Sequence, residues 1–330
     1  MFARDDHAQV IFSWPSMKHL PYPKIPAKHD GSTPAPGGQW VAMEKVHGAQ
    51  VVVATDGHIT RIGKRKAWLA DNEAFFGWQL LRSTLEAGAR AVHRSHGDGG
   101  IVRLFGELFG GAYPHPEVTP VPGASPVQTG IWYAPGVHFA LFDVVVGAGE
   151  EEMFLSHTEV EALAEAHGLL VVPLLGRGPR QVLEQLPLRF QTRVPARLRL
   201  PPLEGNLAEG LVLKPDARAL TSARFVVKRK IEEFDEARFD ESQPWDPHAI
   251  LDLAALQRLA RSLVNGPRVD SARSKVGDAR SAVVDEVVLD VLTDLEAAFP
   301  GAFRALTPEG EARLAAIIVG LLGPLLPATG

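Results

Sequence analysis

The chain contains no cysteine. Disulfides, thiolate zinc sites and a cysteine nucleophile are therefore excluded. Long hydrophobic runs are missing too. The longest, Leu314 to Leu326, is too short to span a bilayer and carries Gly320, Gly323 and Pro324. It reads as a buried helix that ends near those breakers. The opening Met1-Phe2-Ala3-Arg4-Asp5-Asp6 shows no secretory h-region, so the expected location is the cytoplasm, away from membranes. Basic charge is not in excess. A formal net charge of −5 argues against a uniformly basic nucleic-acid binder but leaves room for a local basic groove. Lysine is scarce: only ten of the 34 basic residues are lysine. Where arginine is the default, a retained lysine marks a position that needs a nucleophile or a compact charge for phosphate. Six of the ten (Lys45, Lys64, Lys66, Lys214, Lys228 and Lys230) fall in short strand-like segments. Drift among surface residues is the competing explanation for any one of them.

What is present is an ordinary globular composition, 45% hydrophobic and 22% charged over 330 residues, enough for a large domain and a smaller one. The centre of the chain's organisation is Glu44-Lys45-Val46-His47-Gly48. Trp40-Val41-Ala42-Met43 precedes it and Gln50-Val51-Val52-Val53-Ala54-Thr55 follows, and both flanks read as strands. A lysine at a tight corner, with a glycine three residues on, can reach or attack a phosphate. Lys-x-x-Gly alone is weak, since ordinary residue usage yields it roughly once in a chain this long. A second copy, Lys28-His29-Asp30-Gly31, lies in a Pro-rich stretch without flanking strands and is treated as a decoy.

Further pieces follow in order. Residues 1–39 are mostly loop, with a short strand expected at Val10-Ile11-Phe12. Ile59 to Lys66 reads as a strand ending in a basic cluster, and Asn72 to Ala91 as a helix. Ile101 to Gly111 is an apolar strand that delivers Glu107 amid glycines. That carboxylate should meet a metal, a ribose hydroxyl or a base, unless it is a satisfied buried ion pair. Phe139 to Val146 is a buried strand carrying Asp143, beside Phe142, which could stack on a planar base or simply fill the core. Ser156 to His167 is a helix with Ser156 as cap and Glu159 completing a capping box. A strand over Leu169 to Leu174, a turn over residues 173–178 and a helix over Pro179 to Leu186 come next. Glu209 repeats the pattern of a carboxylate beside glycine on an apolar strand, with Lys214 five residues on. Strand alternation puts Lys228 and Lys230 on one face, where a polyanion such as triphosphate would join them, or where they form a solvated edge. After Asp246-Pro247, Ile250–Val264, Ala282–Ala298 and Glu309–Leu322 show helical spacing, and no strand is expected.

Together these residues describe a nucleophilic lysine attacking the α-phosphate of a nucleotide. Nearby cations, Lys228, Lys230 and a divalent metal, would help it lose its proton, and Glu107 and Glu209 could hold the metal and the ribose. The order Lys-x-x-Gly, Gly-Glu-Leu, Phe-Asp, Glu-Gly-x-Val-Leu-Lys, Lys-x-Lys resembles that of the covalent nucleotidyltransferases, the polynucleotide ligases and capping enzymes. Within them the sequence is similar to the double-stranded-RNA ligases of the T-even phage type and the trypanosome RNA-editing ligases. The resemblance includes Gly38-Gln39-Trp40-Val41-Ala42, Phe75-Phe76-Gly77 and Pro173-Leu174-Leu175-Gly176-Arg177-Gly178. It extends to Arg268-Val269 and Ser274-Lys275-Val276-Gly277.

The resemblance implies an α+β fold: a nucleotidyltransferase domain of antiparallel sheets around an ATP cleft over residues 1–240, and an all-helical C-terminal domain over 241–330. It implies an ATP-dependent RNA ligase, using Mg²⁺ or Mn²⁺, that seals 3′-hydroxyl/5′-phosphate nicks in duplex RNA or in a hybrid duplex; a monomer is expected. Lys45 would be the nucleophile, with Glu44 beside it in the nucleotide-binding set. Arg65 would contact phosphate, Glu107 the ribose, and Phe142 adenine, with Asp143 behind it. Glu209 would serve metal and catalysis, Lys214, Lys228 and Lys230 would grip phosphates, and His47 would assist after the first step. The family usually has asparagine where this chain has Gln50, which bears on the 3′-hydroxyl strand more than on adenylylation. The alternatives are a ligase for DNA or DNA/RNA-hybrid nicks, and a non-catalytic nucleotide- or RNA-binding relative.

Overall fold

The strands flanking the lysine corner form as expected, yet they do not pair with each other. Trp40–Glu44 (β1) belongs to one antiparallel sheet and Ala49–Thr55 (β2) to another, so residues 45–48 link two sheets. The structure is a computed structural model that describes residues 17–27, 35–97, 100–235 and 245–326. The strand expected at Val10-Ile11-Phe12 and the second Lys-x-x-Gly lie outside the described residues.

Strands Thr60–Lys64 (β3) and Ala67–Trp68 (β4) follow β2, and then helix Arg82–His96 (α1), strand Ile101–Ala112 (β5), strand Ala134–Gly147 (β6) and strand Met153–Phe154 (β7). Helix His157–His167 (α2) leads to strand Leu174–Gly178 (β8) and two single turns, Arg180–Leu183 (α3) and Val194–Arg197 (α4). Strands Gly210–Pro215 (β9), Ala219–Leu220 (β10) and Val227–Lys230 (β11) complete the sheets, and Glu232–Asp235 (α5) follows. The rest is helical: Leu253–Leu263 (α6), Gly266–Val276 (α7), Arg280–Ala298 (α8), Pro300–Arg304 (α9) and Pro308–Leu322 (α10). The smaller sheet runs β11-β9-β1-β8 and the larger β10-β7-β6-β5-β2-β3-β4, all antiparallel.

Three local expectations are corrected. The helix expected from Asn72 starts only at Arg82, after a 3-10 turn over Trp78–Leu81. Phe76 (φ 55°) and Gly77 (φ 67°) are left-handed, and an α-helix cannot begin through them. The strand expected over Leu169–Leu174 is only a single bridge, Leu141 to Val171, and the expected turn at 173–178 is instead the edge strand β8. Its glycines look like turn signals, but pairing with β1, Trp40 opposite Gly178 and Val41 opposite Arg177, overrides that local tendency. Helix α7 was not expected. Four charged residues dilute its apolar stripe, although Asn265 caps it by accepting from Arg268 N–H at 3.0 Å.

The largest core cluster is continuous from the larger sheet through α1 to the C-terminal helices. Val51, Leu104 and Leu85 pack in it together with Val269, Val287 and Leu314. Smaller clusters lie under the lysine corner and on the outer face of β1. Between β5 and β6 the register shifts: Phe105 faces Asp143 and Gly106 faces Leu141, which leaves Phe142 as the extra residue of a bulge. Among the described residues no helix is long and apolar enough to cross a membrane.

Candidate active site

Lys45 sits where β1 hands the chain to the second sheet, and its backbone N–H donates to Gly210 O at 2.9 Å, which ties the corner to β9. Two glycines make that approach possible. A Cβ at Gly48 would lie 2.1 Å from Leu108 O, and one at Gly210 (φ 149°) would lie 2.0 Å from Arg229 O. The corner therefore presses directly on β5 and β9, and β9 in turn lies close against β11.

The Lys45 ammonium donates to Glu209 Oε2 at 2.5 Å. Lys230 Nζ lies 2.8 Å from the other oxygen, Oε1, and His47 Nδ1 lies 3.6 Å from Oε2. Burial of Glu209 (1% exposed) opposes its charge. The bond from His47 and the ammoniums of Lys45 and Lys230 outweigh this and hold its carboxyl well below the usual carboxylate range. Glu209 is thus a fixed anion that gathers two lysines and a histidine. Burial pushes the Lys228 ammonium down, helped by its like-charged neighbours Lys45 and Lys230. Three ammoniums this close together are a ready site for a polyanion.

Of these groups Lys45 and Lys228 line a cavity of about 620 Å³, while Glu209, Lys230 and His47 stand behind its wall. Glu44, Lys45, Arg65, Glu107, Phe142, Asp143 and Lys228 line it. Glu107 accepts from Gly48 N–H, but desolvation dominates and raises its carboxyl to about 8 despite the nearby Lys45. Gln50, opposite Glu107 in the β2–β5 register, lines the same wall, and its buried Nε2 has no hydrogen-bond partner. The cleft thus holds an acid and an amide donor whose hydrogen bonding a ligand can complete.

The Phe142 ring projects from the bulge, with Tyr22 edge-on to it at 5.0 Å between centroids. Behind it Asp143 forms a buried network. Tyr22 OH donates to it at 2.6 Å, Lys214 Nζ at 2.7 Å, and Arg224 bonds both Asp143 and Tyr22. Burial opposes ionisation of Asp143, but Arg224 and Lys214 outweigh it and keep the carboxyl below its ordinary range. Lys214 is 4% exposed, also donates to Phe142 O at 3.0 Å, and does not line the cavity. The Glu44 carboxylate turns to the loop before α4, where it accepts from Thr192 OH and from Arg193 N–H at 2.8 Å. Burial pushes its pKa up to about 7.

Sequence reasoning assigned nothing to Tyr22 or to Tyr133, whose hydroxyl accepts from His47 N–H at 2.8 Å. The signal that could have found them is scarcity, as with lysine: the chain has three tyrosines, and two of them brace this site.

Two antiparallel sheets joined by a lysine corner, with a cation-rich cleft beneath it, define the nucleotidyltransferase class. The RNA ligase family model matches residues 38–230, more than half of the chain, and the chain belongs to that family. It is 30% identical over 267 residues to RNA-editing ligase 2, mitochondrial, of Trypanosoma brucei brucei, covering 72% of this chain and 58% of that protein. It is 34% identical over 209 residues to RNA-editing ligase 1, mitochondrial, of the same organism, covering 53% and 44%. The chain thus spans about half the length of these relatives. A Naegleria gruberi RNA ligase mutant solved with ATP and Mn overlaps 60% of this chain and 51% of its own at 15% identity, with a TM-score of 0.43.

Proposed function

We propose that this chain is an ATP-dependent RNA ligase that seals 3′-hydroxyl/5′-phosphate nicks in duplex RNA through a lysyl-AMP intermediate. The observation that carries the reading is Lys45 on the cleft wall, bonded to Glu209 at 2.5 Å, with Lys228 and Lys230 converging beside it. In the first step Lys45 Nζ, having released its ammonium proton to solvent, attacks the α-phosphorus of ATP. The N–P bond forms as the bond to the pyrophosphate oxygen breaks. Lys228 and Lys230 take up the charge of the departing pyrophosphate, and Phe142 stacks on adenine. An oxygen of the 5′-phosphate end then attacks the phosphorus of the lysyl-AMP, with His47 assisting, as the N–P bond breaks and Lys45 regains a proton. The 3′-hydroxyl, giving its proton to solvent, attacks the adenylylated 5′-phosphorus and AMP leaves. The orphaned Gln50 amide, beside Glu107 on the same wall, would receive the strand that bears the hydroxyl.

A divalent ion fits the donor set as a partial ligand shell. Among the described residues no three or more His, Cys, Asp or Glu side chains converge on one point. Glu107 and Glu209 would hold the ion, and water and phosphate oxygens would complete its shell, as is usual for Mg²⁺. When bound, it would neutralise phosphate charge. Glu107 would also meet the ribose.

The test is to mix the protein with α-labelled ATP and a divalent metal, denature it, and look for label on the chain. Wild type should carry the label and Lys45→Ala should carry none. Absence of label on a wild-type chain whose intact mass shows no prior AMP would sink the reading. A nick assay with ribose or deoxyribose at the 3′ end then separates an RNA ligase from a DNA ligase.

A further inference from the structure

The segment between β8 and β9 carries a concentration of positive charge that none of the roles above uses. Residues 185–203 contain four arginines, Arg189, Arg193, Arg197 and Arg199, and neither aspartate nor glutamate, in a chain whose net charge is −5. All four side chains are exposed.

The segment is built rather than loose. Thr192 N–H donates to Asn206 O at 2.9 Å and Ala208 N–H to Phe190 O at 2.9 Å. Asn206 in turn clamps Trp132, accepting from its N–H at 2.9 Å and donating to its O at 2.6 Å. Arg199 holds a left-handed φ of 58°, a conformation that costs energy outside glycine, and Tyr113 OH pins the next turn by donating to Pro201 O. The segment is also fastened to the reacting corner. The carboxylate of Glu44, the residue before Lys45, accepts from Thr192 OH and Arg193 N–H, and Val194 packs in the same cluster as Val46.

We infer that this arginine segment is a docking surface for the phosphate backbone of duplex RNA beside the nick. The inference rests on the ligase reading. An RNA end brought to a lysyl-AMP must lay its flanking phosphates near the corner, and exposed guanidiniums on a braced segment moored to that corner are complementary to them in charge. Contacts of this kind position a duplex without reading its sequence. Arg193 is left out of the test because its main chain holds Glu44.

Wild type and the triple variant Arg189→Gln/Arg197→Gln/Arg199→Gln are titrated, without ATP, against a fluorescein-labelled nicked RNA duplex by anisotropy at increasing KCl. Self-labelling by α-labelled ATP is measured in parallel. The Gln variant should label like wild type. It should bind the duplex about ten-fold or more weakly at low salt, with a log–log salt slope shallower by about one per lost phosphate contact. The matching triple Arg→Lys variant should keep the slope and most of the affinity. Unchanged affinity and slope in the Gln variant would overturn the inference, as would equal loss in the Lys variant, which would make the segment's shape the cause rather than its charge. A wild-type chain that takes no label, its intact mass showing no prior AMP, would overturn the ligase reading alone, because duplex binding and its slope are read without ATP.

Discussion

Lys214, expected among the phosphate-gripping lysines, is also a buried member of the Asp143 network. It has 4% exposure, donates to Asp143 Oδ1 at 2.7 Å and to Phe142 O at 3.0 Å, and stands behind the cleft wall. A lysine so placed braces the bulge that aims Phe142 into the cavity. Lys214→Met keeps the stem and removes the charge. Asp143 retains Arg224 and Tyr22, so the cost should be moderate, ~2 kcal/mol in denaturant unfolding. Self-labelling should need more ATP for half-saturation while its plateau rate changes little. A lysine that gripped the departing phosphates would lower the plateau instead, and that result would refute the brace. That Lys45, Glu209 and Lys230 would lie at strand ends was legible in the sequence, because each adjoins a short string that forms a strand: Lys45 follows β1, Glu209 precedes β9 and Lys230 ends β11. The sequence could not announce that Asp143 meets Tyr22, 121 residues away, or that His47 meets Tyr133, 86 residues away. Those contacts exist only once the sheets have packed.

Elements were legible where one local rule fixes them. Helix α2 begins at Ser156 with the full capping box, Glu159 N–H to Ser156 Oγ and Ser156 N–H to the Glu159 carboxylate, as the Ser-x-x-Glu spacing predicts. β8 and α7 were missed because tertiary partners decide them: pairing with β1 makes the glycine-rich 174–178 a strand, and packing against α1 and α8 makes the charged 266–276 a helix. The first residue of α2 also carries a consequence for stability. His157 has no exposed surface, and neither ring nitrogen has a hydrogen-bond partner. Burial pushes its pKa from 6.5 to about 3, helped by Lys214 and opposed by Asp143 and Asp216, with Arg177 also near. The fold therefore keeps the ring neutral, whereas the unfolded chain protonates it near pH 6.5. Its contribution is fully present above that pH and is lost as pH falls towards 3, at up to about 1.4 kcal/mol per pH unit. The stability difference between His157→Leu and wild type should shift in favour of the variant as pH drops from 7 to 5. Parallel curves for the two proteins across that range would refute this.

At the scale of the whole molecule, the question is whether the C-terminal helices unfold on their own. Their apolar faces belong to the same cluster as α1 and the larger sheet, so neither part buries its core without the other. One buried ion pair reinforces the seam. Asp294 of α8 accepts from Arg268 of α7 at 2.7 Å, and Arg82 Nε, at the start of α1, lies 3.4 Å from its other oxygen. Arg82 in turn covers the Trp78 ring at 4.7 Å and bonds Asp71 at 3.0 Å. Arg268 is 1% exposed, and its Nε donates to Leu263 O. Removing Asp294 would leave that guanidinium buried without its counter-charge, a change that costs about 3–5 kcal/mol. Asp294→Ala should therefore lower the thermal midpoint by several degrees in one transition, seen alike by tryptophan fluorescence and by helix circular dichroism. Asp294→Asn, which keeps an acceptor for Arg268, should fall between the two. If the helices formed an independent unit, the variant would show two steps, the helix signal melting first while the fluorescence of Trp40 and Trp68 in the sheets stayed at its native value. Because the seam starts at α1, which packs on β2 and β5, the strands that carry Gln50 and Glu107, the same variant should lose self-labelling only together with that single transition.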